Sequence, residues 1–283
     1  PHVPPGEAVF FRSLFAIPVI LGWLAMRGEL PRGLVTHNPL GHFWRGLVGA
    51  TAMGLSFTAL GLLPLPEVTA IGYAAPLLVT VFAAMFLGEQ IRLYRLAAVC
   101  VGLLGVMVVL APRLTVLGLE EATKTETVGA MAMLLAAVFM ALAVVFVRKL
   151  VETAESAAIV FYLSLSCTAL SRFTLPLGWV WPTPAEAGLL ILAGLLGGTA
   201  QILLTESYRF ADAGVIAPFD YASMLLSLAV GWFVFTEEPT VPMLAGAALI
   251  ISAGLFIIWR ERRLGIERAR ARRSAAAGGQ PGG

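Results

Sequence analysis

Apolar residues run along this chain in long unbroken stretches, not in the alternation of strands or the one-sided stripes of surface helices. Nine stretches approach the roughly 20 residues a bilayer crossing takes: 9–26, 43–63, 68–87, 93–111, 127–147, 157–177, 186–205, 213–235 and 241–259. Backbone in lipid must satisfy its own hydrogen bonds, so these stretches predict helices. Strand alternation is absent, which excludes a barrel. No connection is long enough for a water-soluble domain. The expected class is an all-α polytopic membrane protein.

Composition agrees. Of 283 residues, 59% are hydrophobic and 13% charged, with a mean hydropathy of +0.88. Soluble domains are about half apolar and about a quarter charged. The start, "PHVPPGE", lacks the basic region of a signal peptide. Cys100 and Cys167 lie in apolar runs and form neither a metal spacing nor a disulfide framework.

Charge placement orients the helices. Seven arginines crowd residues 260–273. Directly after a span, such a cluster marks the cytoplasmic side better than it marks nucleic-acid binding, and no nucleic-acid partner is expected. Counting backward puts Arg209, then Arg148 and Lys149, then Arg92 and Arg95, then Arg27, Arg32 and Arg45 in inside loops. The outside loops 64–67 and 236–240 hold no Lys or Arg, and 112–126 sets Arg113 and Lys124 against Glu120, Glu121 and Glu126. Residue 1 then lies outside and the C-terminus in the cytoplasm. The Ala- and Gly-rich tail 274–283 is expected to be disordered.

The chain repeats itself. At an ungapped offset of 148 residues, "GLVGATAMGL" (46–55) lies on "GLLGGTAQIL" (194–203), and "YAAPLL" (73–78) on "YASMLL" (221–226). Glu7 meets Glu155 and Glu89 meets Glu237. Span 127–147 has its expected mate before residue 1, so a ten-helix protein lacking its first helix is expected. Two five-helix halves have opposite orientations because five is odd. This predicts an inverted repeat, the architecture of many secondary transporters. The expected divisions are a first repeat at 1–113, a second at 127–260 and a tail at 261–283.

These residues resemble the EamA-type carriers of the drug/metabolite transporter superfamily. The likeness rests on "EAVFFRSLFA" (7–16), "WRGLVG" (44–49), "PLLVTVFAAMFLGEQI" (76–91) and "APFDYASMLLSLAVGWFVFTEEP" (217–239). Gly88-Glu89 fits the family's Gly-Glu signature, whereas the second half has Thr236-Glu237. The loop "ESYRFADAGVIAPFDY" is similar to the branch with carriers proposed for S-adenosylmethionine and riboflavin. The resemblance implies a ten-helix carrier of the bacterial inner membrane, with a central cavity lined by both repeats and a small-molecule substrate. It also makes Arg12 a candidate for an anionic group, and it leaves a homodimer open.

Each repeat carries a G-x-x-x-P, Gly72 to Pro76 and Gly214 to Pro218. Proline withholds an N–H from the carbonyl four residues back. Freed carbonyls at membrane depth face protein or a water-filled cavity, and broken helices at a repeat interface point to a transport site. A kink for packing is the competing account. Asp220 lies about seven residues, roughly 10 Å, from the inner end of its span. It is placed to bind a cationic substrate group or a coupling proton, against a structural pairing with Arg209 or proximity to headgroups.

Asp220, Ser223 and Ser227 share one helical face, as do Thr69, Tyr73, Pro76 and Thr80, and both stripes should meet a common interior. Gln201 and Thr205 share a face, with Glu206 and Tyr208 at its inner end. Tyr73, Tyr221, Phe57 and Trp44 offer stacking surfaces for a planar heterocycle, Tyr73 and Tyr221 above the others, although aromatics in membrane proteins are more often core or interfacial packing. Arg172, on a face with Ser164, Thr168 and Ser171, reads as snorkelling. Glu89 and Glu237 read as structural marks of the repeat. Gly194 and Gly198 form a G-x-x-x-G that lets two helices approach closely. The candidate binding residues are Arg12, Phe57, Tyr73, Pro76, Thr80, Gln201, Thr205, Pro218, Asp220, Tyr221 and Ser223.

The expected function is secondary-active, alternating-access transport of a small organic metabolite, S-adenosylmethionine or riboflavin, with export of amino acids or drugs as the alternative. No nucleotide-binding loop appears, so an ion gradient or the substrate's own gradient supplies the energy. A membrane enzyme is disfavoured: no H-E-x-x-H is present, and His2, His37 and His42 read as loop residues. No cofactor or metal is expected. A non-transporting sensor would have no use for paired broken helices.

Overall fold

The computed structural model describes residues 3–30, 32–87, 93–114, 121–210, 223, 226–227, 229–236 and 238–278. Regular structure among them is helical throughout: α1 (Pro5–Met26), α2 (Pro39–Leu62), α3 (Leu65–Gly72), α4 (Ala74–Leu87), α5 (Leu93–Leu114), α6 (Glu121–Leu150), α7 (Ser156–Ser171), α8 (Pro184–Phe210), α9 (229–235) and α10 (Val241–Gly278). Six described helices are long and apolar enough to cross a bilayer, counting α3 and α4 as one. Large apolar side chains point outward, among them Leu93, Phe233 and Trp181. In water such a surface would aggregate; in a bilayer it faces lipid.

Local chemistry sets the helix starts. The Asn38 side chain accepts from the Gly41 N–H at 2.9 Å, and Pro39 occupies the first turn of α2. At α8, Thr183 and Glu186 form a reciprocal capping box: the Thr183 N–H donates to Glu186 Oε2 at 2.8 Å, and the Glu186 N–H to Thr183 Oγ1 at 3.4 Å.

Several elements differ from the sequence expectation. Span 68–87 is two helices, broken at Tyr73, three residues before Pro76. The expected disruption by proline is present. Span 157–177 leaves α-helical geometry after Ser171 and continues as a 3-10 turn over Arg172–Leu177, closed by Gly178 at φ 93°. Helix α10 runs through the arginine-rich segment to Gly278 where a disordered tail was expected from 274; arginine and alanine are strong helix formers, and the apolar span has already nucleated the helix. Most of 213–235 lies outside the described residues. His42 and Arg45, expected in loops, lie in α2 and are buried. A sequence window cannot tell how deep a charged residue near a span's edge will sit.

The offset of 148 residues is visible in the packing. Adding it maps α1 onto α7, α2 onto α8 and α5 onto α10. Helix α1 packs on α8 as α7 packs on α2, while α1 packs directly on α7 and α5 on α10. The mates run antiparallel. Gly6 approaches Thr174, whereas Ile20 and Leu24 pack in one cluster with Val160 and Ala157. Gly105 approaches Ile250, and Gly246 approaches Val109. Tyr73 hydrogen-bonds Ser223 at 2.6 Å, and Thr69 bonds Ser227 at 2.7 Å. In each pair the number on one helix rises as its partner's falls. The repeat is inverted.

The offset also explains a backbone oddity. Thr236, just past α9, has φ 55°, left-handed geometry that favours glycine at a helix C-terminus. Its repeat mate is Gly88, from which the Thr236-Glu237 pair departs. Thr236→Gly is expected to stabilise the protein by about 1 kcal/mol, read as a higher midpoint in detergent thermal unfolding.

Candidate functional site

Helices α1, α2, α7 and α8 enclose a small cavity whose walls are mostly apolar, with a few polar groups. Its walls are Arg12, Ser13 and Ala16 from α1, Met53 from α2, Leu163, Ser164 and Cys167 from α7, and Gly197 and Gln201 from α8. The offset pairs two sets of these residues: Met53 with Gln201, and Ala16 with Ser164. Residues that the repeat makes equivalent therefore face one another across the same space. The cavity measures ≈ 10 Å³, about the room of one water molecule. The four helices are closed around it.

Arg12 dominates the chemistry. Its Nη1 donates to Met53 Sδ at 3.2 Å, and a thioether is a weak acceptor. Ser13 Oγ lies 3.8 Å from the same sulfur. The guanidinium lies over Gly197, where a Cβ would stand 2.9 Å from Nε. Glycine at 197 makes the room. Among the described residues the one ion pair is Arg27 with Glu29 at 3.2 Å, exposed and away from the cavity. Arg12 thus presents a fork of donors, mostly unused among the described residues, into the cavity. Arginine cannot shed its charge to suit burial.

A second polar contact joins span 68–87 to the described part of span 213–235. The stripes predicted to meet do so at Tyr73–Ser223 and Thr69–Ser227, and Ser227 Oγ also donates to the Leu65 carbonyl at 3.3 Å. Tyr73 is buried and its hydroxyl is engaged by Ser223. It fastens two repeats where a stacking platform was one expectation.

The sequence candidates therefore divide. Arg12 and Gln201 share the cavity, and Tyr73 and Ser223 share the seam. Phe57 packs beside Met53 on the cluster of Val9, Leu163 and Cys167. Thr205 is buried one turn beyond Gln201. Thr80 donates within its own helix to the Pro76 carbonyl at 3.4 Å, and both residues are half-buried. Pro218, Asp220 and Tyr221 lie outside the described residues, as do Glu89 and Glu237. Trp44 is exposed, with its ring centroid 5.5 Å from that of Phe43. Arg172 is exposed at the end of α7, as snorkelling requires. Gly194 and Gly198 sit against Arg12, Phe15 and Ala16, as the G-x-x-x-G predicts.

Met53, Ser13 and Cys167 were not singled out from sequence. A signal existed for Met53: the offset lays it on Gln201. Sulfur residues in apolar runs otherwise read as core.

Residues 1–111 and 127–259 match the EamA-like transporter family. The chain is 29% identical over 257 residues to the S-adenosylmethionine uptake transporter of Rickettsia bellii, covering 91% of this chain and 84% of that protein. It is 31% identical over 269 residues to the riboflavin transporter of Rhizobium johnstonii, covering 92% and 83%. It is 31% identical over 257 residues to the pseudopaline exporter CntI of Pseudomonas aeruginosa, covering 89% and 85%.

Proposed function

We propose a transport mechanism from one premise: the chain belongs to the EamA-like transporter family. It is a multi-pass membrane protein that carries a small molecule. The substrate occupies the space between α1, α2, α7 and α8, and the two repeats rock about it to open each face in turn. One observation supports this reading above the rest. Repeat-equivalent residues from four helices, Met53 with Gln201 and Ala16 with Ser164, line one cavity. A site on the axis between inverted repeats is reached from either side by the same motion.

S-adenosylmethionine is the substrate we favour. Its carboxylate suits the open donors of Arg12, and its cationic groups suit Asp220, which also serves as the proposed site of a coupling proton or ion. Riboflavin, with no anionic group, comes second and would use Gln201, the hydroxyls and the aromatic rings. Export of an amino-acid-like compound is the alternative, favoured by the likeness to the pseudopaline exporter. The proposed setting is the bacterial inner membrane with the arginine-rich C-terminus in the cytoplasm; a homodimer is compatible with it.

The test is uptake of labelled S-adenosylmethionine and riboflavin by membrane vesicles containing the chain, wild type and Asp220→Asn. Saturable S-adenosylmethionine uptake, lost in Asp220→Asn at equal protein level, is the expected result. Uptake that survives the substitution removes Asp220 from the mechanism. Uptake of riboflavin alone reverses the substrate order, and uptake of neither withdraws both assignments.

A further inference from the structure

Arg45 lies inside α2, is 8% exposed, and its Nε has no hydrogen-bond partner among the described residues. It occurs in no ion pair among those residues. Its exposure is too small for snorkelling, in which the head group reaches water. Charged groups buried at membrane depth are rare, and they mark substrate or ion pathways unless a partner explains them.

Its direction is informative. Arg45 Nη1 extends along α2 to the open side of Gly49, beside Leu163, and Leu163 is a wall of the cavity. One turn further, about 6 Å along the axis, Met53 receives Nη1 of Arg12. Leu163 packs in one cluster with the completely buried Cys167 and with Met53, so the two arginines border the same packed group. On the same face, one turn toward the start of α2, stands His42. It is buried against the Tyr162 ring at 4.8 Å between centroids, and neither ring nitrogen has a partner among the described residues. His42, Arg45, Gly49 and Met53 thus form one stripe that runs from the N-terminal end of α2 to the cavity along its seam with α7.

A guanidinium held away from water without a counter-charge is relieved by an anion brought to it, and Arg45 and Arg12 each reach toward the same cavity wall. We propose that Arg45 and Arg12 are two stations for the carboxylate of an amino-acid-like substrate, with Arg45 receiving it on the path between the cavity and the α2 end of the bundle. This rests on the carrier reading and adds to it a specificity element and a direction of travel. The planar fork of arginine matches a carboxylate in two bonds, which lysine does not reproduce.

The probes are S-adenosylmethionine and its decarboxylated analogue, which differ in the carboxylate alone. Binding to the purified full chain in detergent is measured beside vesicle uptake, for wild type, Arg45→Gln and Arg45→Lys. Wild type is expected to bind the carboxylate-bearing probe at least tenfold more tightly. Arg45→Gln is expected to reduce that preference at least threefold, the remainder being held by Arg12, while leaving the analogue's affinity unchanged, and Arg45→Lys to restore part of it. Equal weakening for both probes means a structural arginine and overturns the proposal, as does a wild type that does not distinguish them. If carboxylate-dependent binding is present and reduced in Arg45→Gln while uptake is absent, the anion site stands and the carrier reading for this substrate falls.

Discussion

Arg12→Gln is expected to weaken binding of a carboxylate-bearing substrate by about 100-fold without destabilising the protein. Removing one member of a desolvated, hydrogen-bonded charge pair costs about 2–5 kcal/mol, and each 1.4 kcal/mol is about tenfold in affinity. Stability should move the other way. Without substrate, Arg12 is a cation in the bundle interior whose acceptor is a thioether, and an uncompensated buried charge is itself a cost. Glutamine keeps a donor for Met53 and removes the charge. The unliganded midpoint of thermal unfolding should therefore hold or rise while affinity collapses. A lower midpoint with unchanged affinity would make Arg12 a structural residue and take it out of the site.

Gly198→Leu is expected to abolish transport and lower stability by about 3 kcal/mol, the upper part of the range for overpacking a filled interior. A Cβ at 198 stands 2.9 Å from both Cα and Cβ of Ala16 and 3.2 Å from its carbonyl oxygen. Part of that obstacle is backbone, which no rotamer change relieves. Helices α1 and α8 must separate, and they carry Arg12 and Gln201, so the cavity loses its shape along with its packing. Gly188→Leu is the control. It lies on the same helix with nothing within 4 Å of its built Cβ, and it is expected to be neutral in both assays. Should the two variants behave alike in uptake and thermal unfolding, the α1–α8 contact is wrong.

Much of this architecture is legible before any coordinates. The bilayer imposes the helix lengths, and duplication imposes the offset. The seam between spans 68–87 and 213–235 is predictable because Thr69 and Tyr73, like Ser223 and Ser227, are spaced four apart on otherwise apolar helices. Polar groups in that setting must find each other. The cavity is harder to read. Met53 and Cys167 look like ordinary filling, since a thioether or thiol in an apolar run carries no mark of what it faces. Arg45 misleads for a different reason. The positive-inside rule treats an arginine near a span's edge as a loop charge, and only three-dimensional packing reveals that the α2 helix begins several residues earlier and carries it inward.

The inverted duplication is not carried through to charge. At the offset of 148, Arg12 corresponds to Val160 and Arg45 to Ala193. The first repeat holds Arg12 and Arg45, and the second has no basic residue at either matching position. In a perfectly twofold carrier, opening to one side would be the mirror of opening to the other, and a ligand would be handed between equal partners. Under the proposed mechanism a carboxylate has no equivalent arginine to be handed to in the second repeat, while the cationic end of the same ligand would look to Asp220 there, so the two repeats would grip opposite ends of one molecule. An early symmetric duplicate that gained its arginines on one side only would, by that step, have exchanged an indifferent pore-like path for one with a preferred grip.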